Sequence, residues 1–326
     1  MIISRTPLRI SFAGGGSDMP DFYRKYGGAV LSTAIDKYIY VNVNKKFDDG
    51  IRVSYSKTEE VERVDRIEHN LVRTALKLVR IDGGIEITTI ADIPSKGTGL
   101  GSSSSFTVGL LHALNAFKGR YMSSAQLGID SCHIEIDLCG EPIGKQDQYA
   151  AAFGGLNIIE FMRDDTVVVS PVICDRATIH ELEANLLVFY TGITRSASRL
   201  LKQQSEDVAG SASKQRTVQR MVELAYVLRD ELQRNSIAAF GEVLHEGWML
   251  KKDISPGVST SEIDDWYLAA RRAGAKGGKI LGAGAGGFLL LYAPREAHDR
   301  IKSALSMLRP IGMAFEPLGS RIIFYH

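Results

Sequence analysis

The residues able to do chemistry in this sequence concentrate in three glycine-dense segments and a few charged positions around them. The segments are Ala13–Asp18 (AGGGSD), Lys96–Ser105 (KGTGLGSSSS) and Gly282–Gly287 (GAGAGG). In the second, Gly97, Gly99 and Gly101 permit positive φ and let a ligand approach the backbone closely. Ser102 to Ser105 follow, directly ahead of an apolar run with helical spacing: Phe106, Leu110, Ala113, Leu114 and Phe117. Free N–H groups and the dipole at a helix start favour a phosphate, and serine hydroxyls can donate to it or ligate Mg²⁺. Capping the helix needs only one serine, so the run exceeds what capping requires. The segment is not a Walker A loop, because Ser102 stands where Gly-Lys-Ser/Thr would have to continue.

The other two segments are less specific. Gly282, Gly284 and Gly287 match GxGxxG, but a dinucleotide fold needs a helix next, and Phe288–Tyr292 (FLLLY) reads as a strand. The segment is therefore a turn between strands, either a plain tight turn or one whose backbone at Gly284 and Ala285 faces a substrate. Three consecutive glycines in the first segment cost chain entropy unless something must come close. That makes Gly15, Gly16, Ser17 and Asp18 binding candidates, against a simple turn with Asp18 as its local cap. Glu135 and Asp147 are separated by a turn containing Gly140, Pro142 and Gly144. Local sequence does not show that they converge. A solvated helix residue and an early-helix acid are the plain readings of the two. Lys96 beside the loop and Arg195 after the Gly192 turn are candidate phosphate partners, as is Arg199, with surface solvation the plain reading of each.

The elements that must hold these residues follow from periodicity. Ile2–Phe12, Tyr38–Asn44, Ile51–Tyr55 and Ile85–Ile90 alternate as strands, with Asp49-Gly50 expected to close a hairpin between the second and third. Helices are predicted around 69–79, after Ser102, over 123–138 with Ser123 and Gln126 at capping-box spacing, and over 145–153. Strands follow near 156–161, 166–170 and 186–190. Charged helices then run from about 196 to 235 with a break at Gly210, then 237–250 and 261–273, before strand, glycine turn, strand, helix and two last strands. This suggests two α+β domains, 1–178 and 179–326.

With 326 residues, 44% hydrophobic, 24% charged and a net charge of +1, the chain has ample core material and lacks the basic excess of a nucleic-acid binder. No apolar run approaches the roughly 20 residues that span a bilayer. Cys132, Cys139 and Cys174 are sparse and odd in number, which suits a reducing compartment, so a cytoplasmic location is expected without a membrane partner. His133 beside Cys132 lacks the paired spacing of a zinc site.

Three stretches together resemble the GHMP superfamily of small-molecule kinases: Thr6–Arg9 with Gly14–Asp18, then Ile93–Ser105, then Lys279–Gly287, in the family's order and across almost the whole chain. The resemblance implies a two-domain α+β fold, with an N-terminal ATP-binding half like ribosomal protein S5 domain 2 and a ferredoxin-like C-terminal half. It implies ATP and Mg²⁺ as cofactors. The phosphate loop would comprise Lys96, Gly97, Gly99, Leu100, Gly101, Ser102, Ser103 and Ser104, with Ser103 and Glu135 on the metal. Gly144–Gln148 (GKQDQ) resembles the family's Gly-x-x-Asp-Gln segment. By that likeness Asp147 would accept the acceptor's proton or orient its hydroxyl, and Arg9 would favour the charged carboxylate and steady developing charge. Asp18 would meet sugar hydroxyls.

Ala13–Pro20 (AGGGSDMP) is most similar to the heptose 7-phosphate kinase group of the superfamily. Galactokinases carry an acidic residue and a histidine where this chain has Gly15 and Gly16. The implied reaction is phosphorylation of the anomeric hydroxyl of D-glycero-D-manno-heptose 7-phosphate to the 1,7-bisphosphate, a step toward nucleotide-activated heptose. The implied partners are ATP and a sugar phosphate, with a monomer or homodimer as the assembly. Fucose or galactose kinases are the near alternatives. A GHMP-type decarboxylase and a sugar sensor without catalysis are the distant ones, and the presence of both Glu135 and Asp147 argues against a pure sensor.

Overall fold

The computed structural model describes residues 1–94, 97, 99–194 and 197–326. Lys96 and Arg195 therefore lie outside the described residues. The N-terminal half runs β1 (Ile2–Ala13), α1 (Pro20–Tyr26), β2 (Gly28–Lys45), β3 (Ile51–Ser54), β4 (Thr58–Val61), α2 (Asn70–Val79), β5 (Ile85–Ala91), α3 (Ser102–Phe117), α4 (Ser124–Cys132), α5 (Gln146–Phe153), β6 (Leu156–Phe161) and β7 (Val167–Pro171). The C-terminal half continues with α6 (Arg176–Ala184), β8 (Leu186–Tyr190), α7 (Ala197–Ala209), α8 (Ala212–Gln233), α9 (Phe240–Ile254), α10 (Ser261–Ala273), β9 (Gly277–Ile280), β10 (Phe288–Tyr292), α11 (His298–Ala304), β11 (Arg309–Pro310) and β12 (Arg321–Tyr325).

The first sheet has the order β12-β1-β2-β5-β3-β4, and β6 with β7 joins along the first half of β2. Long β2 therefore splits its free edge, pairing β6 over Gly28–Thr33 and β5 over Ile39–Lys45. Asp49-Gly50 does not close the expected hairpin: β5 inserts between β2 and β3, and β3 turns back on β4 instead. Local hydrogen bonding explains the outcome. Gly50 N–H donates to the Asp48 carboxylate (2.8 Å), and the Asp49 carbonyl accepts from Gly84 N–H (2.9 Å), so the loop wraps the start of β5 rather than folding onto β2. The second sheet has the order β11-β8-β10-β9 with every neighbour antiparallel. In chain order that is 4-1-3-2 with helices after its first and third strands, the ferredoxin-like plait.

Helix α3 is apolar almost all round and sits in the principal core against β1 and β2. It comes close to β1 because Gly109 faces the strand: a Cβ there would lie 2.7 Å from Thr6 Oγ1, and Ser4 Oγ donates to the Gly109 carbonyl at 2.7 Å. Ser123 caps α4 as predicted, accepting from Gln126 N–H at 3.1 Å. The reciprocal half of the capping box is not made, since the Gln126 amide donates onward to Asp130. The single helix expected over 123–138 changes pitch: after α4, His133–Leu138 is π-helical. Phe12 of β1 meets Phe240 of α9 edge-on at 5.1 Å, one of the contacts joining the two halves, a geometry worth about 0.5–1.5 kcal/mol beyond area burial. No helix among the described residues is long and apolar enough to cross a membrane.

Candidate active site

The three glycine segments, far apart in sequence, meet at one cleft of about 960 Å³. Gly97, Gly99, Gly101 and Ser102 to Ser104 line one wall, Gly15, Gly16 and Asp18 another, and Gly282 and Ala283 a third. The second and third segments touch backbone to backbone. A Cβ on Gly99 would lie 2.3 Å from the Leu281 carbonyl oxygen, and one on Gly282 would lie 2.4 Å from Gly99 Cα. Both glycines have positive φ, so sterics and backbone conformation both reserve these positions for glycine.

Gly101, in the left-handed conformation, starts α3. Ser102 and Ser103 line the cleft there. Opposite them, Asp147 stands in the first turn of α5. Arg9 of β1 grips it through two hydrogen bonds, Nε to Oδ1 and Nη2 to Oδ2, each 2.8 Å, while Gln146 Nε2 adds a third to Oδ1 at 2.9 Å. The remaining guanidinium nitrogen, Nη1, donates to the Gly99 carbonyl at 2.6 Å. One buried side chain thus fixes the acid and the glycine loop together.

Glu135 is fully buried on the π-helical segment. The wider turn aims it at α3. Its Oε2 accepts from Ser104 Oγ (2.7 Å) and from the Gln148 amide, and its Oε1 from Thr107 Oγ1 (2.9 Å). Ser103 Oγ reaches Oε1 only at 3.4 Å. Burial raises the Glu135 carboxyl to about 7 despite those donors. Asp18 accepts from Gly16 N–H (3.1 Å) and Gln146 N–H (3.3 Å), and its carboxyl is raised by burial first and by Asp147 second. Gly144 makes room for it, since a Cβ there would lie 2.0 Å from Asp18 Oδ2.

Several expected residues stand elsewhere. Ser17 does not line the cleft: its hydroxyl donates to the Gly14 carbonyl at 2.7 Å and accepts from Ala29 N–H at 3.1 Å, which stitches the first glycine turn to β2. Leu100 is buried, and its carbonyl accepts from Arg9 N–H at 3.1 Å. Gly284 and Ala285 point away from the cleft. A Cβ on Gly284 would lie 2.6 Å from the Val258 carbonyl oxygen, and Ala285 N–H donates to that oxygen at 2.8 Å. The cleft-facing residues of that turn are Gly282 and Ala283, two positions earlier.

Other cleft residues escaped sequence reasoning. Tyr55, His69, Leu71 and Phe106 give one end an apolar lining. Lys251 of α9 and Lys279 of β9 are both buried and line the other region. Lys279 heads the third glycine segment, a signal that was present. Lys251 sits among other basic residues at the end of an amphipathic helix and looks like a solvated one.

Residues 70–155 match the GHMP kinases N terminal domain and residues 228–307 the GHMP kinases C terminal domain. A D-glycero-alpha-D-manno-heptose 7-phosphate kinase from Campylobacter jejuni is 31% identical over 318 residues, which cover 93% of this chain and 92% of that one. The chain belongs to the GHMP kinase family. Two solved structures share the whole fold of this GHMP kinase. A D-glycero-D-manno-heptose 1-phosphate kinase from Bacteroides thetaiotaomicron superposes with a TM-score of 0.83 at 25% identity, covering 100% of both chains. A putative sugar kinase from Campylobacter jejuni does so with a TM-score of 0.79 at 29% identity, covering 98% of this chain and 97% of the other. The protein is therefore an ATP-dependent sugar kinase of mixed α/β architecture.

Proposed function

We propose that this kinase transfers the γ-phosphoryl group of ATP to the anomeric hydroxyl of D-glycero-D-manno-heptose 7-phosphate, releasing ADP and the 1,7-bisphosphate. The observation that carries the reading is the Arg9–Asp147 pair beside the glycine loop, in a chain 31% identical to a heptose 7-phosphate kinase along nearly its full length.

In the proposed step the sugar O1 attacks the γ-phosphorus, the bond from phosphorus to the β,γ-bridging oxygen breaks, and ADP carries that electron pair away. The hydroxyl proton passes to Asp147 or, through it, to water. Asp147 already accepts three hydrogen bonds, so its larger contribution is to aim the hydroxyl in line. Gly97, Gly99, Gly101 and Ser102 to Ser104 would hold the nucleotide phosphates with backbone and hydroxyl donors. Tyr55, Leu71 and Phe106 would cover the base. Asp18 and the backbone of Gly15 and Gly16 would hold sugar hydroxyls.

Ser103 and Glu135 fit a magnesium ion. Ser103 is on the cleft lining and its Oγ lies 3.4 Å from Oε1 of Glu135, which is buried behind it and also accepts from Thr107, so the two would hold the ion together from the start of α3. A cation there would also relieve the buried carboxylate, and when bound it supplies charge neutralisation for the phosphates. The unpaired cysteines suit a cytoplasmic enzyme. The division at 178/179 would then separate a nucleotide-holding half from one that closes the acceptor side, except that the C-terminal end returns to the first sheet, where β12 pairs β1.

A second reading is that the acceptor already bears its phosphate at C1, as the name of the Bacteroides thetaiotaomicron structure suggests for that protein. Measuring ADP release with the heptose 7-phosphate, the heptose 1-phosphate, free heptose, fucose and galactose separates these readings. Turnover confined to the 7-phosphate supports the first; preference for a free hexose rejects it.

A further inference from the structure

We infer that Lys251 and Lys279 form the recess that binds the phosphate already carried by the acceptor sugar. The inference rests on the reading above that the acceptor is a sugar phosphate.

The two ammonium groups are unusual for where they stand. Lys251 is 7% exposed and Lys279 5%, on elements of the C-terminal half, and both line the cleft. Among the described residues each makes one hydrogen bond, to a backbone carbonyl: Lys251 to Gly282 and Lys279 to Phe12, the latter at 3.1 Å. An ammonium has three N–H donors. Among the described residues neither lysine has a carboxylate within ion-pair distance. Burying a cation without a counter-charge is costly, and buried charges in proteins are paired or hold a ligand. Burial, followed by repulsion from neighbouring cations, shifts both groups toward the neutral form. An anion entering the cleft would reverse that by supplying the missing partner.

The position of the pair favours the acceptor over the nucleotide. The charged groups acting on Lys251 are Arg9 and Asp18, and those acting on Lys279 are Lys251 and Arg9. Lys251 bonds to Gly282, Gly282 abuts Gly99, and the Gly99 carbonyl holds Arg9 against Asp147. The lysines thus border the reacting acid from the C-terminal half, with Ser11, Asp18 and Gln146 lining the same cleft. A dianionic phosphate is the ligand that two ammonium groups suit best. A neutral hexose would leave both cations buried and unpaired.

The test uses the full-length Lys251→Met and Lys279→Met variants, which keep the stem length and remove the charge. Steady-state kinetics are measured with D-glycero-D-manno-heptose 7-phosphate, with the unphosphorylated heptose and with ATP. The inference expects the KM for the sugar phosphate to rise at least about tenfold in each variant. The KM for ATP should stay within about twofold, and weak turnover of the free heptose should be nearly unchanged. Thermal melting checks that the variants fold. Independently of any variant, inorganic phosphate should inhibit the wild type competitively against the sugar phosphate and not against ATP. A rise in the KM for ATP instead would assign the lysines to the nucleotide and overturn the inference, as would unchanged constants for both substrates. If wild type prefers the free sugar over its phosphate, the functional reading itself fails and the recess with it.

Discussion

Arg9 and Asp147, 138 residues apart in sequence, are joined by two parallel 2.8 Å hydrogen bonds at the point where the glycine-serine loop opens into the cleft. The guanidinium is buried, while the acid keeps part of its surface toward the cleft. The pair is therefore rigid on one side and available on the other, the arrangement a positioned acceptor group needs.

Asp147→Asn should lower kcat by about 10²–10⁴ and change the KM for ATP by less than about threefold. The amide keeps one acceptor for Arg9 but loses the second charge-assisted bond. Full turnover in this variant, with normal ATP binding, would remove Asp147 from the mechanism.

Glu135→Gln should abolish the rise in melting temperature that Mg²⁺ with a non-hydrolysable nucleotide produces in the wild type, and raise the Mg²⁺ concentration giving half-maximal rate about tenfold or more. Without ligands the variant should melt no lower than the wild type, because it removes a carboxylate whose charge burial already disfavours. An unchanged Mg²⁺ response would exclude Glu135 as a ligand.

Gly99→Ala and Gly282→Ala should each destabilise the protein by roughly 1–3 kcal/mol, from positive-φ strain and the collision with the facing loop. Equilibrium denaturation checks this. Gly15→Ala, with open space around its Cβ position and no positive φ, is the control and should melt near the wild-type temperature.

The acceptor KM should rise as pH increases through about 8, the value to which burial and Arg9 push the Lys251 ammonium, with Asp18 opposing and Lys279 adjacent. The stability effect has the opposite sign. A lysine depressed from 10.5 binds its proton more weakly when folded, so its contribution is present above 10.5 and is lost as pH falls through about 8. Lys251→Met should accordingly melt above the wild type near pH 7, with the gap closing toward pH 10.5. A pH-independent gap would contradict this.

Much of the site was legible because its signals are local. The glycine-serine loop, the helix after it and the Ser123 cap each announce themselves within a few residues, whereas the acid in Gly144–Gln148 is marked only by the family resemblance. The hidden features depend on distant partners or on subtle pitch. Nothing near Asp49-Gly50 says that β5 will claim the edge of β2, since strand pairing is decided by the whole sheet. The π-helical turn that swings Glu135 onto Ser104 and Thr107 leaves the hydrophobic period nearly unchanged. Lys251 reads as one more basic residue at a helix end, and only the packed cleft shows that it is buried. Ser17 misled for the opposite reason: a polar residue in a glycine turn looks like a binding group, yet its hydroxyl secures the turn to β2.

The central claim is tested most directly by ³¹P NMR of the product formed from ATP and D-glycero-D-manno-heptose 7-phosphate. The account predicts a new anomeric phosphate resonance appearing with ADP while the original phosphomonoester persists. Consumption of heptose 1-phosphate in place of the 7-phosphate, or phosphorylation only of unphosphorylated sugars, would contradict it.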